Sequence, residues 1–200
     1  MTTTPAPTAR FHIRQKITPL QNTYRVFGDA AGEPGPLVAF AKQKRMAFKE
    51  SFTLFADEQA SRPVLTIKAD RRIDVRSAMT VADPATGQSI GQLRKKGAVS
   101  LLRSTWELEQ PGMPVVVVQE RSMPIALLRR FIGAVPYLGD LPIPWVFHFD
   151  GAGAVGGEPV LTHTRLWGFR DRYVLEIRDP GIDARLAIAL AICLDAMQKR

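Results

Sequence analysis

Three histidines, one cysteine and nineteen carboxylates are the groups in this 200-residue chain from which catalysis or metal binding could be built. Their spacing favours neither. His12, His148 and His163 lie far apart in alternating segments, and no Gly-x-Ser-x-Gly elbow presents a nucleophile to any of them. His148 with Asp150, and Asp57 with Glu58, are isolated pairs, whereas a metal centre wants three or four convergent ligands. The stretch Gly151–Gly157 is glycine-rich but opens no helix, so it reads as a hairpin loop and not as a phosphate cradle. Cys193 is the one cysteine, which rules out an intramolecular disulfide and a zinc site of several thiolates. It sits in an apolar run and reads as a small buried hydrophobe. The residues lean against an enzyme, and neither a metal nor a cofactor is expected.

The positive signal is basic. Lys42, Lys44 and Arg45 end one predicted strand, and Arg94, Lys95 and Lys96 end another in a comparable hairpin position. Were these hairpins adjacent, six cations would converge at one rim. They could then hold a phosphorylated headgroup by charge-assisted hydrogen bonds, or attract an anionic leaflet at about 1 kcal/mol per cation. The competing reading is that they are edge-strand charges that discourage aggregation. A second candidate is the amphipathic segment 124–135, in which Leu127 and Phe131 are flanked by Arg129 and Arg130 and followed by Tyr137 and Trp145. That is the makeup of an interfacial membrane contact, set against a helix that plugs an open barrel end. The whole chain agrees with an anionic partner: 27 Lys and Arg against 19 Asp and Glu give a net charge of +8. Nucleic acid is the weaker choice, since no recognised motif accompanies the charge.

The elements that must position these residues are mostly strands. From Phe11 the pattern has period two, with Phe11, Ile13 and Ile17 on one face and His12, Arg14 and Lys16 on the other. Further strands are predicted at Tyr24–Gly28, Leu37–Lys44, Phe48–Phe55, Arg62–Lys68, Arg71–Val81, Ser89–Lys95, Gly97–Arg103, Thr105–Gln110, Val115–Arg121, Trp145–Phe149, Val160–Leu166 and Phe169–Arg178. Turn residues such as Asp29-Ala-Ala-Gly, Asp83-Pro-Ala-Thr-Gly and Pro111-Gly112 separate them, which makes a meander of hairpins.

The closing run from Asp183 to Met197 differs in kind. At about 100° per residue, Leu186, Ile188, Leu190, Ile192 and Leu194 spread over most of a helical wheel, and alanines fill the gaps. A helix apolar all round must be surrounded, and strands curled around it are the simplest enclosure. Its apolar run is too short to cross a bilayer, which takes about 20 residues. Asp183 is placed to cap it, while Asp195 near its other end would need a partner if buried, with Lys199 or Arg200 in reach. Residues 1–10 read as a disordered tail, and 11–200 as a single domain with a central helix at 183–198.

Thr-Tyr-Arg-Val at 23–26, Ala-Lys-Gln-Lys at 41–44, Ile-Gly-Gln-Leu-Arg-Lys-Lys-Gly at 90–97 and the final Leu-Ala-Ile-Ala-Leu-Ala-Ile-Cys-Leu-Asp occur in an order that resembles the LURP-one-related and phospholipid scramblase family. The resemblance covers about Phe11 to Met197 and implies a tubby-like fold, a mainly β, closed antiparallel barrel of about twelve strands around a buried C-terminal helix. It also implies a binding module for anionic phospholipid or phosphoinositide-like headgroups, in the cytoplasm or peripherally on a membrane. A protein-interaction or scaffold barrel with no lipid role stays open beside it. The acidic calcium segment of scramblases has no clear counterpart: Glu176–Asp183 occupies that position with Arg172 and Arg178 close by, which argues against calcium.

Overall fold

The computed structural model describes residues 8–18, 21–44, 51–69, 78–96, 104–121, 148–153, 157–167 and 171–198, apart from the side chains of 43, 44 and 198. They form twelve strands: β1 (Ala9–Ile17), β2 (Gln21–Ala30), β3 (Glu33–Lys44), β4 (Ser51–Phe55), β5 (Pro63–Ala69), β6 (Ala78–Ala82), β7 (Ser89–Lys95), β8 (Thr105–Glu109), β9 (Val116–Glu120), β10 (His148–Ala152), β11 (Leu161–Arg165) and β12 (Arg172–Ile177). One helix, α1 (Ala184–Gln198), follows them. Every strand is antiparallel to its neighbours in sequence, and β1 pairs with β12, so the meander closes into a barrel. Closure leaves no sheet edge to be protected from aggregation.

Alternation decides what fills the barrel. Ile13, Tyr24, Val26, Leu54, Leu65, Ile67, Val81, Leu93, Leu108, Val118, Phe149, Leu161 and Leu175 all point inward and are buried. Against them lies α1, on which every residue from Leu186 to Leu194 is buried, as a helix apolar on all sides requires. The strand wall must approach the helix closely at one point. A Cβ built on Gly91 would stand 2.5 Å from the Glu109 carbonyl oxygen and 2.6 Å from a Leu186 methyl, so only glycine lets β7, β8 and the first turn of α1 meet.

The helix enters through a set of polar contacts. The Asp183 carboxylate accepts from the Arg185 backbone N–H at 2.8 Å, an N-cap as the sequence predicts. Arg185 reaches back to Asp183 and across to Asp83 in the β6–β7 turn, both at 2.9 Å. Gln110, after β8, accepts from the Asp183 N–H and donates to the Gly181 carbonyl, each at 2.8 Å. The entry turn is thus tied to two hairpins of the wall.

Several boundaries differ from expectation. β1 begins at Ala9, and the Thr8 N–H donates to the Ile177 carbonyl, because β12 supplies a partner that the sequence alone does not reveal. β3 begins at Glu33 because the β2–β3 turn is tight, with Ala31 and Gly32 both at positive φ. Residues 1–7, the predicted strand Gly97–Arg103, residues 71–77 of Arg71–Val81, and the segment 124–135 lie outside the described residues.

Candidate functional site

The three histidines are dispersed by the barrel. His12 faces outward from β1 and meets Asp29 at 2.8 Å, whose other oxygen accepts from the Gly32 N–H. His148 faces outward from β10 and shares a hydrogen bond with Thr164 at 3.0 Å. Asp150, two residues on, is held by both ends of the Arg121 fork at 2.6 and 2.7 Å, so His148 and Asp150 do not act as a pair. Asp57 accepts three hydrogen bonds from Ser61 and Arg62, and Glu58 pairs with Arg25. No group of three potential metal ligands exists among the described residues.

His163 points into the barrel, where its ring stacks on Tyr173 with centroids 5.1 Å apart. Neither of its ring nitrogens has a hydrogen-bond partner, and burial pushes its pKa down to about 3, so it is neutral. Asp195, near the end of the helix, is also buried. The Tyr24 hydroxyl donates to one of its oxygens at 2.9 Å and the Tyr173 hydroxyl to the other, while Gln15 donates to Tyr24. These donors come from the wall, across more than a hundred residues of sequence in one case, whereas the sequence pointed to Lys199 and Arg200, which lie outside the described residues. Burial and the carboxylate together raise the pKa of both tyrosines, which keeps them as donors. Cys193 is buried 3.6 Å from Met79, its thiol pKa raised by desolvation, as suits an inert core residue.

The strand-end cations Lys42, Arg94, Lys95 and Lys96 share one end of the barrel but not one patch. β3 and β7 are separated by β4, β5 and β6, so their ends stand about 19 Å apart around the wall. Lys42 is exposed, with its ammonium 5.6 Å from the Phe40 ring centroid. The Lys44 side chain and all of Arg45 lie outside the described residues. Arg94 pairs with Glu109 at 3.6 Å and Lys96 with Glu107 at 2.5 Å, both on β8. Lys95 follows the inward parity of Gly91 and Leu93 and lies 6.0 Å from the Trp106 ring centroid. The proposed membrane-contact residues Leu127, Arg129, Arg130 and Phe131 lie outside the described residues.

A denser cluster forms where the barrel closes. Arg14 on β1 stands directly opposite Arg172 on β12 and, on its other side, directly opposite Arg25 on β2. Three arginines therefore form one row across three strands, at about 5 Å between neighbouring Cα atoms. One row further toward the end of the barrel, about 7 Å away, Lys16 opposes Thr23, which opposes Lys42 on β3. Arg25 is paired with Glu58. Arg14, Lys16, Lys42 and Arg172 are all exposed, and none of them lies within ion-pair distance of a carboxylate among the described residues. Arg14 also lies over the Phe27 ring, at 5.2 Å, and Arg25 over Phe40, so two aromatic rings on the outer wall hold their guanidinium groups against it.

This ladder was only half visible in the sequence. Alternation places Arg14 and Lys16 on the polar face of one strand and Arg172 on the polar face of another. The link between them is the closure of the barrel, which brings the first and last strands together.

Comparison with known proteins agrees with the architecture. No curated protein matches the chain. The profile of one family, LURP-one-related, matches residues 37–195, most of the barrel together with nearly all of the helix inside it. With four-fifths of its length matched, this chain belongs to the LURP-one-related family.

Proposed function

We propose that the protein is a non-enzymatic binding module whose basic ladder engages anionic phospholipid headgroups at a membrane surface. The observation that carries this reading is the cross-strand row Arg172–Arg14–Arg25 with Lys16 and Lys42 beside it. Like charges set directly opposite each other on neighbouring strands destabilise a sheet. A phosphate between Arg14 and Arg172 would convert that repulsion into charge-assisted hydrogen bonds, and guanidinium forks match phosphate oxygens in geometry. The ladder spans four strands, about 14 Å, enough for more than one headgroup. Of the six cations anticipated from the sequence, Lys42 belongs to the ladder, and Lys44 and Arg45 continue its strand in sequence. Arg94 and Lys96 are paired with Glu109 and Glu107, and with Lys95 they stand at the same end without joining the row.

Co-sedimentation with vesicles tests the proposal. Recovery is expected with phosphatidylserine-containing vesicles and not with phosphatidylcholine alone, falling as salt rises. The triple variant Arg14→Glu, Lys16→Glu, Arg172→Glu should lose it, at about 1 kcal/mol or more per cation. Equal recovery on neutral and anionic vesicles, or a triple variant that binds as well as the wild type, removes the idea. Retention of a stoichiometric protein partner with no vesicle binding would instead favour a protein-interaction barrel.

A further inference from the structure

Next to the ladder, the same end of the barrel carries an apolar tip. Trp167 is 67% exposed, Leu166 36% and Ile17 43%, three of the five large hydrophobic side chains described as exposed. Ile17 ends β1, and Leu166 and Trp167 follow β11; only β12 separates these strands. Among the described residues most large hydrophobic side chains are buried, so a tryptophan 67% exposed stands out from the wall around it.

The tip is held in place. The Leu166 N–H donates to the Arg172 carbonyl at 2.8 Å, and an Arg172 guanidinium nitrogen lies 3.4 Å from the Trp167 carbonyl oxygen. The Arg165–Asp171 ion pair, at 2.5 Å, ties the end of β11 to the residue before β12. The Gln15 N–H donates to the Asp171 carbonyl at 2.9 Å, which ties Asp171 to β1 just before Lys16 and Ile17. Arg172 therefore belongs to both features: its side chain ends the arginine row, and it bonds to the backbone of Leu166 and Trp167.

We infer that Ile17, Leu166 and Trp167 form a wedge that enters the boundary between headgroups and acyl chains of an anionic bilayer, while Arg14, Lys16 and Arg172 contact the phosphates around it. The inference rests on the proposed lipid-binding function and adds an orientation, with the rim at the C-terminal end of α1 facing the membrane. The occupant follows from the chemistry of the patch. Tryptophan with aliphatic neighbours suits the interfacial layer, where the indole keeps its polar edge at headgroup depth. Cations beside it match the charge of that layer and not that of a neutral protein groove.

Depth-dependent quenching tests it on the full chain, using phosphatidylcholine vesicles with phosphatidylserine and brominated acyl chains. The wild type should show quenched tryptophan emission, and Trp167→Phe should lose the greater part of that quenching. Trp167→Ala with Leu166→Ser should bind roughly tenfold more weakly, as expected when a large apolar side chain is no longer buried. Salt-sensitive sedimentation without quenching would overturn the wedge and leave the ladder standing. Quenching that persists on neutral vesicles and survives reversal of Arg14, Lys16 and Arg172 would uphold the wedge and overturn the ladder. Absence of binding to either vesicle overturns both. A blue shift of Trp167 emission with rising protein concentration and no lipid would place a second copy on the tip, which also overturns the wedge.

Discussion

Asp195 is a buried carboxylate at the end of a helix where the macrodipole is unfavourable to it, and its stability depends on the hydroxyls of Tyr24 and Tyr173. Tyr173→Phe should therefore cost about 1–3 kcal/mol in urea unfolding, because a desolvated acceptor loses a donor while the ring stays packed. His163 makes a pH prediction. Its folded pKa, about 3, lies below the ordinary histidine value, so between those two values the unfolded chain binds a proton that the native barrel refuses. Stability should fall on acidification through that window, by up to about 1.4 kcal/mol per pH unit from this residue. Denaturation of wild type and His163→Leu at several pH values would check it: the variant should lose less stability between neutral and acid conditions. Sequence reading could mark Asp195 as needing a partner. It could not choose the tyrosines, since both lie on strands whose distance from the helix end is set only by the closed barrel.

The central helix is the element most fully legible in advance. Its all-round hydrophobicity, its cap at Asp183 and its length agree with α1 as observed, because each depends on neighbours within a few residues. The glycine that admits it was not anticipated, since Gly91 lies in an ordinary strand pattern and its closeness to Leu186 is a contact of the folded state. Gly91→Ala should destabilise the protein by about 1–3 kcal/mol through overpacking, read from thermal or urea unfolding. Leu190→Asp should leave no cooperatively folded protein, because a lone carboxylate would sit in the lumen. A soluble Leu190→Asp variant with a normal transition would show that the helix is not the core. The basic site illustrates the opposite case. Clusters contiguous in sequence, such as Arg94–Lys96, are split between outer-wall ion pairs and an inward lysine, while the convergent row is built from Arg14, Arg25 and Arg172. Alternation sends consecutive residues to opposite faces, so runs of charge in a strand are poor guides to patches.

At the scale of the whole molecule, the barrel is a closed frame whose two ends differ. At the entry of α1, Asp83 and Asp183 share Arg185 and the charges are mutually paired. At the exit stand Arg14, Lys16, Lys42 and Arg172, with no carboxylate in ion-pair distance among the described residues, and the apolar tip. A barrel so divided should respond to salt in a specific way. Raising ionic strength should weaken vesicle binding of the wild type steeply, and that of Arg14→Glu with Lys16→Glu much less, which sedimentation over a salt series would measure. Equal slopes for the two proteins would mean that the charge acts diffusely and not through the closing strands.

The seam between β1 and β12 has a further consequence, in time and not in space. These strands lie about 160 residues apart in sequence, and the helix that fills the lumen is synthesised after every strand that surrounds it. Such pairings are slow to form, because the chain must surrender the entropy of a long loop before any contact repays it. A chain still on the ribosome, lacking residues 184–198, would hold a sheet with no interior to pack against. The barrel is therefore expected to close only once the helix has been made, and as one unit, with the basic ladder, which needs both β1 and β12, among the last features to exist.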